Sequence, residues 1–255
     1  MTALRVFITG ASSGLGAALA RHYAAQGAQL GLVARRADRL AAFASDLPGC
    51  AIYPLDVRDH LAMQVAAADF SARFGVPDIV IAAAGISVGT LTEHAEDLAV
   101  FQAVMDINVM GMVTTFQAFV APMRRARSGV LAGIASVAGI RGLPGAAAYS
   151  ASKAAAITYL ESLRVELMGS GVSVTTISPG YIATPMTAVN PYPMPFMLQA
   201  DVAAASVAHA IARRHRYVTL PWQMALVAKL LRVLPRPVYD RLFRHAPHKP
   251  RNLPL

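Results

Sequence analysis

A doubly wound α/β fold, with a seven-stranded parallel sheet covered by helices on both faces, is predicted by three features of this 255-residue chain. Short apolar runs alternate with longer, helix-patterned segments almost from end to end. Most of the short runs are apolar on both faces, as strands covered from both sides are. A glycine-rich turn, Gly10-Ala11-Ser12-Ser13-Gly14-Leu15-Gly16, separates the first run from the first helical segment. In such folds ligands bind at the C-terminal ends of the strands.

The elements follow in order. Residues 4–9 form the first strand, and 15–26 the helix after the turn. Strands 29–34, 51–55 and 79–83 alternate with helices 38–47 and 60–74. Residues 97–125 read as one long helix, 129–135 as the fifth strand, 149–168 as a helix and 172–178 as the sixth strand. Helix 201–214 and strand 217–220 complete the series. Parallel neighbours require right-handed crossovers, which the intervening helices supply. The Pro-rich stretch 185–195 is the one irregular insertion. It follows the C-terminal end of the sixth strand and is a candidate lid. Residues 1–220 are thus expected to form a single Rossmann-type nucleotide-binding and catalytic domain, and 221–255 a basic, apolar C-terminal extension.

Composition narrows the function classes. Hydrophobic residues make up 55% of the chain and charged residues 15%, enough to bury a large core. The single cysteine, Cys50, rules out an internal disulfide framework and fits a reducing, cytoplasmic compartment. The first strand runs straight into the glycine turn, so no signal peptide is expected. The seven histidines lack metal-ligand spacing, so no metal is expected either. Charge is unevenly placed: residues 1–212 carry 13 basic and 13 acidic side chains, whereas 213–255 carry ten basic residues against Asp240. The basic residues there are interleaved with Leu, Val and Pro, which argues against nucleic acid as a partner. Residues 222–234 are apolar and helix-compatible but too short to span a bilayer. They suit packing on the body or a second subunit, a peripheral contact with an anionic membrane, or an acidic carrier.

The glycine turn suits a dinucleotide. Backbone without Cβ turns sharply and approaches a pyrophosphate, whose charge the helix N-terminus favours. Gly10, Ser12, Ser13, Gly14, Leu15 and Gly16 are therefore candidate cofactor ligands. At the end of the second strand, NAD enzymes of this fold carry an acid for the ribose hydroxyls. Here Ala34 is followed by Arg35 and Arg36. A guanidinium grips a 2′-phosphate bidentately, so NADP is favoured over NAD, with Arg35 the principal contact and Arg36 a second. Tyr149 and Lys153 stand at i and i+4 on one helix face. An ammonium beside a phenol lowers its pKa from about 10 and fits it for general acid–base work.

The segment Thr9-Gly10-x-x-x-Gly14-x-Gly16 together with Tyr149-x-x-x-Lys153 resembles the signature of the short-chain dehydrogenase/reductase family. The likeness covers about residues 4–220 and implies hydride transfer between a nicotinamide and a carbonyl or secondary alcohol. It implies that Ser136 binds the substrate oxygen, that Lys153 reaches the nicotinamide ribose, and that Asn108 holds a water linking Lys153 to solvent. It further implies that Asp56 and Val57 contact adenine, and that Pro179, Gly180, Ile182 and Thr184 seat the nicotinamide. The family usually has Asn-Asn-Ala-Gly after the fourth strand. This chain has Ala82-Ala83-Ala84-Gly85, which keeps Gly85 beside the ribose but removes the polar side chains. The family also implies a homodimer or homotetramer through helices 97–125 and 149–168. Tyr181 and Met186, with Tyr192, Met194, Phe196 and Met197, give the lid a predominantly apolar set of side chains, pointing to an apolar substrate. A cofactor-binding regulator of the same fold is the alternative to an enzyme.

Overall fold

Seven parallel strands lie side by side: β1 (Arg5–Thr9), β2 (Gln29–Ala34), β3 (Cys50–Pro54), β4 (Ile79–Ala82), β5 (Gly129–Ile134), β6 (Val172–Pro179) and β7 (Tyr217–Leu220). Their order in the sheet is β3-β2-β1-β4-β5-β6-β7. The computed structural model describes residues 3–253; Met1, Thr2, Pro254 and Leu255 lie outside the described residues. Strand order reverses between β1 and β4, which opens a crevice at the C-terminal edge, where such folds take their ligands.

Alternation along the strands divides the core into two layers. Val6 and Ile8 of β1 face one side, packed with Leu30, Leu32, Val207 and Ile211. Those residues meet α1 (Gly14–Ala24) and α8 (Ala200–Ala212). Phe7 faces the other side among Phe70, Phe116, Phe119 and Leu160. Its ring meets Phe119 at 4.7 Å and Phe70 edge-on at 5.4 Å between centroids. That layer is closed by α3 (His60–Phe74), α5 (Gly111–Ala126) and α6 (Ala147–Glu166), while α2 (Ala37–Ala44) lies near the β3 edge.

Two predicted elements differ in detail. The long helix expected over 97–125 is α4 (Asp97–Met105) joined to α5 through a π-helical turn, Asp106–Met110. The wider turn carries Asn108, whose buried side chain is pinned to neighbouring elements, and π-turns often occur where a side chain must be re-aimed. The stretch Asp97–Ala126 is long and apolar enough to cross a membrane by length and composition, yet Phe116, Phe119 and Met123 are fully buried in this core. The lid is not wholly irregular. It begins with a short helix, α7 (Pro185–Ala188), where the Thr187 hydroxyl accepts from the Thr184 N–H at 3.1 Å and Pro185 occupies the first helical position.

Beyond β7 the chain forms α9 (Trp222–Val233) and α10 (Arg236–Phe243). Met224 and Ala228 of α9 are buried against Val137. The Arg141 guanidinium donates to the Leu231 and Leu234 carbonyls, each at 3.0 Å, satisfying the end of α9. It also lies 4.3 Å from the Tyr239 ring centroid. The chain then returns to the crevice. The Gly89 N–H donates to the Pro250 carbonyl at 2.9 Å, and Arg251 pairs with Glu96 and Asp97 at 2.9 and 2.8 Å.

Candidate active site

The crevice holds a cleft of about 410 Å³. Its floor is the glycine turn. Gly10 and Gly14 have φ of +71° and +56°, the left-handed region that favours glycine. A Cβ on Gly10 would stand 2.8 Å from the Ala84 backbone, and one on Gly16 would overlap the Gly10 carbonyl. The turn can therefore press against the loop after β4 only without side chains. Ser13, the N-cap of α1, makes no side-chain capping bond, so the first N–H groups of the helix are left for an anion. These features fit a pyrophosphate.

Most of the residues expected to hold a cofactor line this one cleft: Gly10, Ser12, Ser13, Gly14, Leu15, Gly16, Arg35, Arg36, Asp56, Val57, Ala83, Ala84, Gly85, Tyr149, Lys153, Pro179, Gly180, Ile182 and Thr184, with Met186 of the lid. Asn108, Ser136 and Tyr181 are not among its lining residues. Leu55, Ile86, Ile107, Ile134 and Ala135 also line it and were not singled out from sequence. Three of them follow or end a strand, and that position was the available signal.

At the adenosine end Arg35 and Arg36 are exposed. Asp56 is engaged differently from what the resemblance implies. Its carboxylate accepts from the Arg58 backbone N–H at 2.9 Å, from Nε at 3.0 Å and from Nη2 at 2.8 Å. The Arg58 hydrogen bonds hold its pKa below the usual carboxylate range, and the Arg35 charge adds to the effect. An adenine at this carboxylate would have to share it with Arg58, a residue the sequence reading missed although Asp-x-Arg spacing at a strand end is a local turn signal.

The reactive end is built on α6 and the strands beside it. Tyr149 sits in the first turn of α6 and Lys153 one turn later. Lys153 is buried, with its Nζ donating to the Ile134 carbonyl at 2.8 Å and lying 5.7 Å from the Tyr149 ring centroid. Burial without a counter-charge lowers its pKa to about 8. The expectation that Lys153 pulls the Tyr149 pKa down is not met. Burial raises it, the Ser136 hydroxyl opposes that rise, and the Tyr181 phenol adds to it. The ammonium is occupied by Ile134, and desolvation of the phenolate outweighs what remains.

Ser136 Oγ accepts from the Ala138 N–H at 3.1 Å and donates to the Pro179 carbonyl at 3.4 Å, joining β5 to the end of β6. Asn108 is fully buried. Its Oδ1 accepts from the Ile86 N–H at 2.8 Å, and its Nδ2 donates to the Ile86 carbonyl at 3.0 Å and to Ser152 Oγ at 2.9 Å. The side chain thus fixes the loop after β4 to α6 and has no proton left to offer a water. A Cβ on Gly85 would lie 3.1 Å from Asn108 Oδ1 and 3.6 Å from Lys153 Nζ, so a side chain here would press on Asn108. Where the family's Asn side chains are replaced by alanine, the Ala84 N–H donates to the buried Thr9 hydroxyl at 3.4 Å and the strand pairing is intact.

The lid is held from outside. Lys249, 7% exposed, donates from Nζ to the Met186 carbonyl at 2.9 Å and to Asn190 Oδ1 at 3.0 Å. Among the described residues no group of three or more His, Cys, Asp or Glu side chains is placed to hold a metal ion.

Comparison with known proteins agrees with this geometry. The family described as "short chain dehydrogenase" matches residues 5–192. The chain is 37% identical over 243 residues to an uncharacterized oxidoreductase of Myxococcus xanthus, covering 93% of this chain and 95% of that protein. It is 37% identical over 179 residues to the 2-dehydro-3-deoxy-L-rhamnonate dehydrogenase (NAD(+)) of a Sphingomonas species, covering 70% and 72%. Among solved structures, the closed form of serine dehydrogenase complexed with NADP+ superposes with a TM-score of 0.77 at 26% identity, covering 85% of this chain and 93% of that one. The chain belongs to the short-chain dehydrogenase family and is an NAD(P)-dependent oxidoreductase.

Proposed function

We propose that this chain is an NADP-dependent reductase or dehydrogenase of a predominantly apolar carbonyl compound or secondary alcohol. The observation that carries the reading is the opening of Tyr149 and Lys153, from one helix face, onto the cleft floored by the glycine turn. A nicotinamide bound in this cleft would supply the hydride chemistry at the carbonyl carbon. Tyr149 gives its proton to the carbonyl oxygen in reduction and takes it back in oxidation. Lys153, buried one turn away, stabilises the phenolate by charge and would turn from Ile134 to the cofactor ribose. Ser136 orients the substrate oxygen beside Tyr149. Asn108 acts at one remove, by holding the loop after β4 against α6.

The relatives differ in cofactor, one being named for NAD(+) and one complexed with NADP+, so this chain's own residues must decide. Arg35 and Arg36 supply cations where a carboxylate would select NAD. Arg35→Ala should raise the KM for NADPH by about tenfold to a hundredfold, the loss of a charge-assisted pair, and leave that for NADH almost unchanged. Equal kcat/KM of the native enzyme with both cofactors would remove the assignment.

Met186, which lines the cleft, and Tyr181 and Tyr192, whose phenols lie near that of Tyr149, support an apolar substrate body under the lid. Lys249 is a positioning residue for that lid. Lys249→Met should raise the substrate KM about tenfold, matching the loss of one or two hydrogen bonds from a charged donor. NADPH affinity measured by titration should not change, and an equal loss of cofactor affinity would assign Lys249 a general structural role instead. Exposed Leu98, Met110, Val165 and Met168, on α4, the π-turn and the α6 end, support a contact with a second copy through that side.

A further inference from the structure

We propose that α9 and the basic residues around it form a docking surface for an anionic membrane. The two faces of α9 differ sharply. Met224 and Ala228 are buried at 7% and 8% exposure, whereas Trp222, Leu226, Leu230 and Val233 are 56–75% exposed. The four recur every three or four residues and form one stripe opposite the buried face. A contiguous stripe of large apolar side chains marks a partner, unlike single exposed leucines. Val238 and Leu242 of α10 extend the exposed apolar set.

Cations lie in the same segment. Lys229 and Arg232 on α9, Arg236 and Arg241 on α10, and Arg244 after it are all exposed, with Asp240 the one acid among residues 213–255. Five of the ten basic residues among 213–255 thus lie on or beside these two helices, which gives this surface a local excess of positive charge. A second copy of the chain is a poor occupant: a two-fold contact lays the patch on itself and sets the two basic groups against each other. An anionic lipid surface answers both features, with the interfacial zone taking Trp222 and the leucines and the headgroups taking the guanidinium and ammonium groups. At 12 residues α9 lies on a bilayer and does not cross it. Arg141 fastens its carbonyl end and stacks on Tyr239, so the surface is already shaped before it meets lipid.

Trp222 is the single tryptophan of the chain, so its emission reports this surface alone. With the full chain, vesicles containing phosphatidylglycerol should shift that emission to the blue and co-sediment the protein, with binding weakening as salt rises. Phosphatidylcholine vesicles should bind about tenfold more weakly. The double variant Leu226→Glu with Leu230→Glu should lose at least about tenfold in binding to the anionic vesicles. Its melting temperature and its turnover of a small soluble carbonyl should stay unchanged, because both positions are exposed. No blue shift with the anionic vesicles, equal binding to both lipids, or binding that survives the double substitution would overturn the proposal. Binding to an acidic polypeptide but not to vesicles would overturn it in favour of an acidic protein. Self-association abolished by the double substitution, without lipid binding, would do so in favour of a second copy.

Discussion

Tyr149→Phe should lower kcat by about a hundredfold to ten-thousandfold, the range that positioned proton transfer contributes. NADPH binding should stay within about twofold, since the ring is kept and only the hydroxyl is lost. The two readouts separate chemistry from architecture. Tyr149 lines the cleft from the first turn of α6, and removing one oxygen leaves the packing of that turn in place. The pKa directions make the point sharper. Burial raises the Tyr149 pKa, and that of Lys153 is itself lowered to about 8. The phenol is therefore protonated at neutral pH, in the form that donates in carbonyl reduction. The oxidative direction needs the phenolate and should gain rate as pH rises, until deprotonation of Lys153 removes the charge that supports it. Full activity in Tyr149→Phe would take the catalytic assignment away.

Gly16→Val should abolish measurable NADPH binding at concentrations that saturate the native chain. The added Cβ overlaps the Gly10 carbonyl and stands 2.8 Å from its carbon, so backbone must move rather than a flexible side chain. Overpacking of this kind costs about 1–3 kcal/mol, roughly 2–12 °C in melting temperature for a chain of this size class. The cofactor readout is the more telling. A ligand at a hundred times its Kd stabilises the fold by about 2.7 kcal/mol, and the variant should show almost none of that gain in a thermal melt. A melt that rises with NADPH as much as in the native chain would show that the turn is structural only.

The layered fold was legible because most strands are apolar on both faces and each is followed by a helix-patterned segment. The glycine turn and the Tyr149–Lys153 pair were legible for a related reason: their geometry is local, fixed by a few residues of chain. What sequence missed depends on distant partners. The π-turn around Asn108 follows from hydrogen bonds to Ile86 and Ser152, far apart in sequence. The hold of Arg58 on Asp56 is local, and its turn spacing was readable. The direction of the Tyr149 shift was not, because it is set by how deeply the fold buries the phenol and by Lys153 turning to Ile134. The role of Lys249 was also hidden. Nothing in a basic tail announces that one of its lysines closes on a lid 59 and 63 residues earlier.

That last contact has a consequence for the order in which the enzyme comes into being. The glycine turn, Tyr149 and Lys153 all leave the ribosome well before residues 249–251, and chains fold from the N-terminal end as they are made. Arg251 must close on Asp97 across 154 residues. A nascent chain can thus form the cleft around the glycine turn before Lys249 and Arg251 fasten the segments beside it. The cleft and its fastening are completed at different moments in the life of the same polypeptide.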